Sequence, residues 1–169
     1  ERGLVFIHPY DGDLVIAGQG TIGLELLEQE PALEVIVVPV GGGGLIACIG
    51  IAVKDLSPRV EIIGVEAASY PRRKLLAAGL IDACGDASTL ADGIAVRRVG
   101  DLPFAHMQRV VDRVVTVSEE EIASSILALA EQEKTVAEGA GAVALAAVLE
   151  HRFDRRGRRV ACVVSGGNI

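Results

Sequence analysis

Segments with two different patterns of hydrophobic and polar residues alternate along the chain. Short apolar runs rich in β-branched residues are typical of strands buried on both faces of a sheet, and they occur at 34–40, 59–66, 110–117 and 159–164. Segments with apolar residues about one helical turn apart predict helices at 21–30, 45–56, 72–78, 118–133 and 139–152. This alternation indicates an α/β fold, with an open, mostly parallel sheet and helices on both faces.

Local signals add detail to three parts of this map. Ser118 and Glu121 have the spacing of a capping box, in which the two side chains bind free backbone amides at a helix start. Residues 14–17 are predicted to form a short strand or lead-in, followed by Gly18-Gln19-Gly20, and residues 82–101 to be irregular. No repeat or linker divides the chain, so 1–169 is expected to form a single domain, though an incomplete one.

Composition excludes several classes of protein. Half of the residues are hydrophobic and the mean hydropathy is +0.43, which excludes intrinsic disorder. The formal charge of −7 argues against nucleic acid as a partner, because a phosphate backbone is held by clustered Lys and Arg. The uncharged stretch 35–53 is long enough to span a bilayer, but Pro39 and four glycines interrupt it, so a strand, a loop and a helix are expected there.

The cysteines indicate the compartment. Their number is odd, and their spacing matches neither a disulfide framework nor a zinc site: Cys48, Cys84 and Cys162. Each stands among apolar neighbours, which predicts buried, reduced thiols in a cytoplasmic protein.

The strongest candidate for chemistry is a glycine run between the predicted strand 34–40 and the predicted helix 45–56. The run comprises Gly41, Gly42, Gly43 and Gly44. A strand, a glycine loop and a helix bring backbone amides and the positive end of a helix dipole to one point, where a phosphate group binds well. Contiguous glycines match neither the Walker motif nor GxGxxG. A flexible crossover turn is the alternative interpretation.

Two side chains stand next to predicted elements where a ligand could lie. Ser165 follows the predicted strand 159–164, and ligands of open α/β sheets bind at the carboxyl ends of strands. It lacks the GxSxG context of a nucleophile, so it is either a hydrogen-bonding group for a ligand or a plain turn residue. Glu138 precedes the predicted helix 139–152, so it either balances the helix dipole or faces a site.

Six segments occur together in an order that is specific to one family. They are His8-Pro9, residues 15–23 (VIAGQGTIG), 41–45 (GGGGL), 91–94 (ADGI), 138–141 (EGAG) and 165–168 (SGGN). Over essentially its whole length the chain resembles the threonine/serine dehydratase family of fold-type II pyridoxal-phosphate enzymes. The resemblance implies the tryptophan-synthase-β-like fold, with this chain as a segment of its large, cofactor-binding domain.

The resemblance also implies pyridoxal 5′-phosphate as the cofactor and names residues that would hold it. The glycine run and the amide of Leu45 would bind the 5′-phosphate, and Ser165 would form a hydrogen bond with the pyridine nitrogen. Gly93 and Glu138 would lie near the ring. A neutral hydroxyl does not force protonation of the ring nitrogen as an Asp would, which favours fast loss of a β-hydroxyl over transamination.

In such enzymes the reaction is β-elimination from L-threonine or L-serine, which releases a 2-oxo acid and ammonia. A serine racemase-type enzyme is the nearest alternative, although Tyr10-Asp11 after His8-Pro9 is closer to the bacterial dehydratases. A non-catalytic module that binds a phosphorylated ligand is an alternative of another class. The expected partners are a small amino-acid substrate and further copies in a homo-oligomer, with no nucleic acid and no membrane.

Part of the family's machinery does not map onto this chain. The lysine that carries the cofactor precedes the His8-Pro9 segment in the family, as does the small domain, so the chain is expected to be a piece of a longer protein without a catalytic residue of its own. The lysines present lie in other contexts: Lys54, Lys74 and Lys134. The cation site of some relatives needs an acid six positions after Glu66, where Arg72 stands, so no metal is expected.

The isolated chain is therefore predicted to have no dehydratase activity, because the group that would remove the substrate's α-proton is missing. The measurement is release of 2-oxobutyrate from L-threonine by purified 1–169 with added pyridoxal phosphate. Release above that of a blank without protein would overturn the prediction.

Overall fold

The computed structural model describes residues 3–69 and 88–169. Its helices are α1 (Asp13–Gln29), α2 (Gly44–Leu56), α3 (Asp101–Val110), α4 (Glu119–Gln132) and α5 (Gly139–Leu149), with a 3-10 turn at Asp92–Ile94. Its strands are β1 (Val35–Pro39), β2 (Glu61–Ala67), β3 (Arg113–Val117) and β4 (Val160–Cys162). The predicted helix 72–78 and Cys84 lie outside the described residues.

The described strands form one parallel sheet in the order β3-β2-β1-β4. β1 is paired on both sides, with Val37 opposite Ile63 of β2 and Cys162 of β4. Parallel neighbours must be joined by crossovers, and the described helices lie on both faces of the sheet. The predicted α/β class is confirmed.

The core lies on both sides of the sheet because alternate residues of β1 point to opposite faces. Val35 and Val37 pack with Ile122 of α4 and with alanines of α5. Ile36 and Val38 pack with apolar side chains of α2 and α3. These four side chains are completely buried, and each contributes about 1.5–3 kcal/mol by leaving water.

The prediction of a short strand at 14–17 is wrong, because these residues begin α1. Gly20, one of the two glycines that suggested a turn, lies with Gly23 on the helix surface that meets α2, whereas Gly18 is exposed. A Cβ on Gly20 would be 3.5 Å from the carbonyl oxygen of Cys48, and one on Gly23 would be 3.0 Å from the carbonyl oxygen of Ile49. Gly20 and Gly23 let the helices approach closely. In the sequence alone, glycines at a helix contact resemble those of a turn.

A helix was missed between the irregular segment and the third strand. α3 begins at Asp101, and β3 starts at Arg113 rather than at 110. Phe104 and Met107, spaced by one turn, bury their side chains in the core beside α2. Pro103 stands in the first turn of α3, where its missing N–H costs nothing. No local capping residue marks the start of α3, so the sequence gives little sign of it.

The predicted helix 21–30 forms the second half of α1, which starts eight residues earlier. The other predicted elements within the described residues are confirmed, and their ends differ from the prediction by at most three residues. Ser118 and Glu121 form both bonds of the capping box at the start of α4. The stretch 35–53 contains β1, the glycine loop and most of α2, and in the described part of the chain no helix combines the length and apolarity needed to cross a membrane.

The two described cysteines are free thiols of unequal exposure. Cys48 is buried in α2, as expected, whereas Cys162 at the end of β4 is partly exposed and packs against the core. Burial raises the pKa of both thiols to about 11, so both are protonated at neutral pH.

The contact between α1 and α2 predicts opposite effects for one substitution at two glycines of α1. Gly18→Ala should raise the free energy of unfolding of the intact protein by about 0.5–1 kcal/mol, since a Cβ there meets nothing within 4 Å and alanine favours the helix. Gly23→Ala should lower it by about 1 kcal/mol, because the added methyl would press on the backbone of α2. Denaturant unfolding of both variants tests this, and equal effects of the same sign would contradict the packing described.

Candidate functional site

Two neighbouring strands end at the same edge of the sheet, and the chain leaves each of them through a segment that sequence analysis singled out. β1 continues into the glycine loop Gly41–Gly44 and then into α2. β4, its parallel neighbour, continues through Val163, whose amide donates to the carbonyl of Val37, toward Ser165. The parallel pairing therefore brings the glycine loop and Ser165 to one crevice at the carboxyl edge.

The path of the glycine loop depends on Gly43, the N-cap residue of α2, whose backbone is left-handed with a φ of 85°. A Cβ there would lie 2.7 Å from the Met107 sulfur and 2.9 Å from Val99 Cγ1, so both the backbone angle and the space require glycine. The neighbouring carbonyl of Gly42 accepts a 3.0 Å hydrogen bond from the amide of Gly100, which precedes α3. The loop thus packs closely against α3.

The loop presents unpaired donors. Within the described residues, the amides of Gly42, Gly43, Gly44 and Leu45 donate to no protein acceptor. The last two belong to the first turn of α2, where amides have no partner inside the helix and the dipole is positive. Because the glycines are buried, these amides need an acceptor other than bulk water, and an anion satisfies them best.

The opposite wall is formed by segments that Glu138 holds together. Its backbone amide donates to the Gly166 carbonyl at 3.1 Å, and its Oε2 accepts from the Asn168 amide at 3.2 Å. A Cβ on Gly93 would lie 3.3 Å from Glu138 Oε1 and 2.9 Å from the Cβ of Ala140. The absence of a side chain at Gly93 therefore lets its segment pack directly against Glu138 and Ala140.

One pocket of about 610 Å³ brings all the predicted site residues together. Its lining includes Gly41, Gly42, Gly43, Gly44, Leu45, Gly93, Glu138 and Ser165. Tyr10 and Gln19 also line it, although sequence reasoning gave them no role. Gln19 lies in a segment that carried the family resemblance and Tyr10 directly follows another, which was the available signal. Among the described residues that line the pocket there is no Lys or Arg, so within this part of the chain an anion would rely on the amides.

Other polar residues considered from the sequence lie outside this pocket or serve the fold. Nδ1 of His8 accepts a 2.9 Å hydrogen bond from the Asp11 amide, which is a structural role. Lys54 forms an ion pair with Asp112 at 2.7 Å, and Lys134 donates to the carbonyl of Glu131. Lys74 and Arg72 lie outside the described residues.

The segment that carries Gly93 is anchored by Glu119 at the start of α4. Oε2 of Glu119 accepts from the Leu90 amide at 2.7 Å, and Oε1 accepts from the hydroxyl of Ser69 at 3.0 Å. Burial works against the charged carboxylate, but hydrogen bonds from Leu90, Thr89 and Ser69 outweigh it and lower the pKa of Glu119 below its usual value. The carboxylate thus joins residues on both sides of the undescribed segment 70–87.

A model of the pyridoxal-phosphate dependent enzymes matches residues 1–166. The chain belongs to this family. The resemblance seen in the sequence is therefore confirmed, and with it pyridoxal phosphate as the cofactor on which the family depends.

Individual relatives show which members of the family the chain is similar to. L-threonine ammonia-lyase of Thermotoga maritima is 53% identical over 170 residues, which cover 100% of this chain and 42% of that protein. A threonine deaminase from T.th. matches the structure with a TM-score of 0.90 and 42% identity, over 96% of this chain and 60% of that one. Maize serine racemase matches with a TM-score of 0.93 and 35% identity, over 99% and 52%. The chain thus spans about half the length of these relatives, and its fold is the expected tryptophan-synthase-β-like one.

The described site fits the cofactor of the family. Four amides and the start of α2 match the phosphate end, and the pocket of about 610 Å³ that they line together with Gly93 has room for the ring. A hydroxyl, Ser165, lies on the same pocket wall as Glu138, where a ring nitrogen could accept from it.

The anchoring of Gly93 predicts a pH-dependent effect of Glu119→Gln. A carboxyl whose pKa is lowered on folding stabilises the protein above its ordinary pKa near 4.5, and this stabilisation is lost as the pH falls through the folded value. At neutral pH the variant of the intact protein should be less stable by about 1 kcal/mol, and the difference should shrink as the pH falls below 4.5 and vanish once the folded carboxyl is protonated.

Urea unfolding across this pH range measures the difference. Glu131→Gln is the matched control, because it removes the same charge from an exposed position of the same helix. A difference that stays constant with pH would show that the charge of Glu119 is not responsible.

Proposed function

We propose that the intact protein containing this chain is a pyridoxal-phosphate-dependent ammonia-lyase that converts L-threonine, or L-serine, to a 2-oxo acid and ammonia. The observation that carries the proposal is the set of unpaired amides at the glycine loop, placed in one pocket with Ser165. The names of the relatives support threonine as the substrate, since the Thermotoga maritima protein is an L-threonine ammonia-lyase.

The glycine loop would hold the phosphate of the cofactor. The amides of Gly42, Gly43, Gly44 and Leu45 supply the hydrogen bonds, and the dipole of α2 adds a favourable field for the negative charge. Amides fixed by backbone contacts bind with little loss of conformational freedom on the protein's side. When bound, pyridoxal phosphate supplies the electron sink for bond breaking at the α-carbon of an amino acid.

Ser165 would set the protonation of the ring. Its Oγ would donate a hydrogen bond to the pyridine nitrogen and keep its own proton, whereas an aspartic acid would share or transfer one. With a neutral donor at this atom, the cofactor would act as a moderate electron sink, which favours loss of the β-hydroxyl. Gly93 would lie beside the ring, and Glu138 is held in place by the hydrogen bond that it accepts from the Asn168 amide.

The proposed reaction is balanced without an oxidant. The α-proton and the β-hydroxyl leave L-threonine as water, and hydrolysis of the resulting enamine takes up one water and releases ammonia. The net change is L-threonine to 2-oxobutyrate and ammonia. The group that removes the α-proton is expected in the part of the family that precedes His8-Pro9, so no residue of this chain is assigned that step.

We further propose that residues 1–169 form a cofactor-binding segment of the large domain, and that the lysine-bearing segment and the small domain belong to the rest of the polypeptide. The partial coverage of the relatives supports this division. A homo-oligomer, a cytoplasmic location and the lack of a nucleic-acid partner stay predictions, supported by the family resemblance, the free thiols and the formal charge of −7.

Serine racemization is the second candidate, favoured by the fit of the maize serine racemase structure. Incubation of the intact protein with L-threonine and with L-serine separates the two candidates. An ammonia-lyase forms the 2-oxo acid and ammonia in equal amounts, whereas a racemase forms D-serine, which chiral chromatography detects. If neither product forms and borohydride fixes no cofactor to the protein, a non-catalytic phosphate-binding module is the remaining interpretation.

Ser165→Ala tests the role of the hydroxyl. In the intact enzyme the variant should shift the absorbance of the bound cofactor and lower turnover about two- to tenfold, as expected for losing a neutral hydrogen bond worth ~0.5–1.5 kcal/mol. Ser124→Ala, at an exposed position of α4, should change neither property. A Ser165→Ala variant with an unchanged spectrum and turnover would exclude the proposed contact.

A further inference from the structure

The turn that precedes α1 lies directly on the glycine loop. A Cβ on Gly42 would overlap the ring of Tyr10, and one on Gly44 would lie 2.9 Å from both the Cβ and the carbonyl oxygen of Tyr10. The imidazole of His8 packs edge-on against the same ring at 4.6 Å between centroids, and its Nδ1 accepts from the amide of Asp11. The turn 8–11 is therefore held together internally and pressed against the loop.

Asp11, the last residue of this turn, reaches across to α3. Its Oδ2 accepts from the Asp101 amide at 3.1 Å, and its Oδ1 accepts from the Leu102 amide at 3.2 Å. α3 has no side-chain cap of its own, because Gly100 occupies its N-cap. A Cβ on Gly100 would lie 2.8 Å from the Asp11 Cγ, so glycine at this position gives the carboxylate room to approach. Asp11 thus supplies, from 90 residues away, the cap that α3 lacks.

The capped end of α3 is also the surface that shapes the loop. The Gly100 amide donates to the Gly42 carbonyl at 3.0 Å, and the side chains of Met107 and Pro103 border the space left by Gly43. A carboxylate at the start of a helix satisfies two orphan amides and opposes the positive end of the dipole. Removing it exposes unpaired donors next to the bond that holds Gly42.

From these contacts we infer that Asp11 is a positioning residue for the phosphate-binding loop. It fixes the start of α3, and through the bond from Gly100 to Gly42 it fixes the direction of the loop amides. Asp11 itself does not touch the phosphate. The inference rests on the proposed function, because it assigns Asp11 to the binding of the same cofactor.

Titration of the intact apoprotein with pyridoxal phosphate tests the inference, together with 31P NMR of the bound phosphate and steady-state kinetics. Asp11→Ala should raise the Kd for pyridoxal phosphate about tenfold and move the 31P resonance. Asp11→Asn keeps one acceptor oxygen and should give a smaller rise, about threefold. At saturating cofactor the KM for the amino acid should stay within about twofold of wild type, since the substrate end of the site is untouched.

The matched control is Asp13→Ala, which removes an exposed carboxylate two residues away that forms no side-chain hydrogen bond to another described residue. Its Kd and 31P resonance should equal those of wild type. If Asp11→Ala fails to fold, Asp11→Asn decides. An Asn variant that folds and binds with the wild-type Kd and 31P resonance overturns the inference while leaving the proposed function intact. A wild-type protein that binds no pyridoxal phosphate overturns both.

Discussion

The parallel pairing of β1 with β4 is the constraint on which the site depends. Because both strands run in one direction, their carboxyl ends meet at one edge, and the segments that follow them share one crevice. The pairing is secured by β1, whose side chains are buried on both faces and whose neighbours on both sides are parallel. A slip in this register would separate the glycine loop from Ser165 by several ångströms. The pairing of β1 with β4 therefore determines the geometry of the site as well as contributing to the stability of the sheet.

Backbone geometry provides the electrostatics of this site. The described lining contains backbone amides and the carboxylate of Glu138 but no Lys or Arg, so these residues would hold a bound phosphate by dipoles rather than by a formal positive charge. Such a site requires the loop to be rigid, since an amide points correctly only when its peptide plane is fixed. Gly43 meets that requirement with a left-handed φ in space bounded by Met107, and Gly42 meets it with a bond from Gly100. The glycines thus permit one close-packed path for the loop rather than many paths.

Sequence could predict the features whose signals are local and not those whose partners are distant. The capping box of Ser118 and the glycine loop each lie within one short segment, and the structure has both where they were expected. The start of α3 escaped prediction because its cap, Asp11, is 90 residues away. Gly20 was misinterpreted because a glycine at a helix contact and a glycine in a turn look alike without a partner in view. The residues of the site were predicted as a group through motif order, whereas the part played by Tyr10 depends on a contact that no motif records.

Carboxylates provide the common device that joins distant segments around the pocket. Glu138 accepts from the amide of Asn168, Glu119 accepts from that of Leu90, and Asp11 accepts from the first amides of α3. Each carboxylate accepts hydrogen bonds from backbone amides at the edge of the site. A charge-assisted bond of this kind is roughly twice as strong as a neutral one. An excess of acidic residues is therefore compatible with an anion-binding loop, because these carboxylates face amides of their own and leave those of the glycine loop unpaired. Some of the acidic residues that make the chain negative thus hold together the segments that surround the pocket.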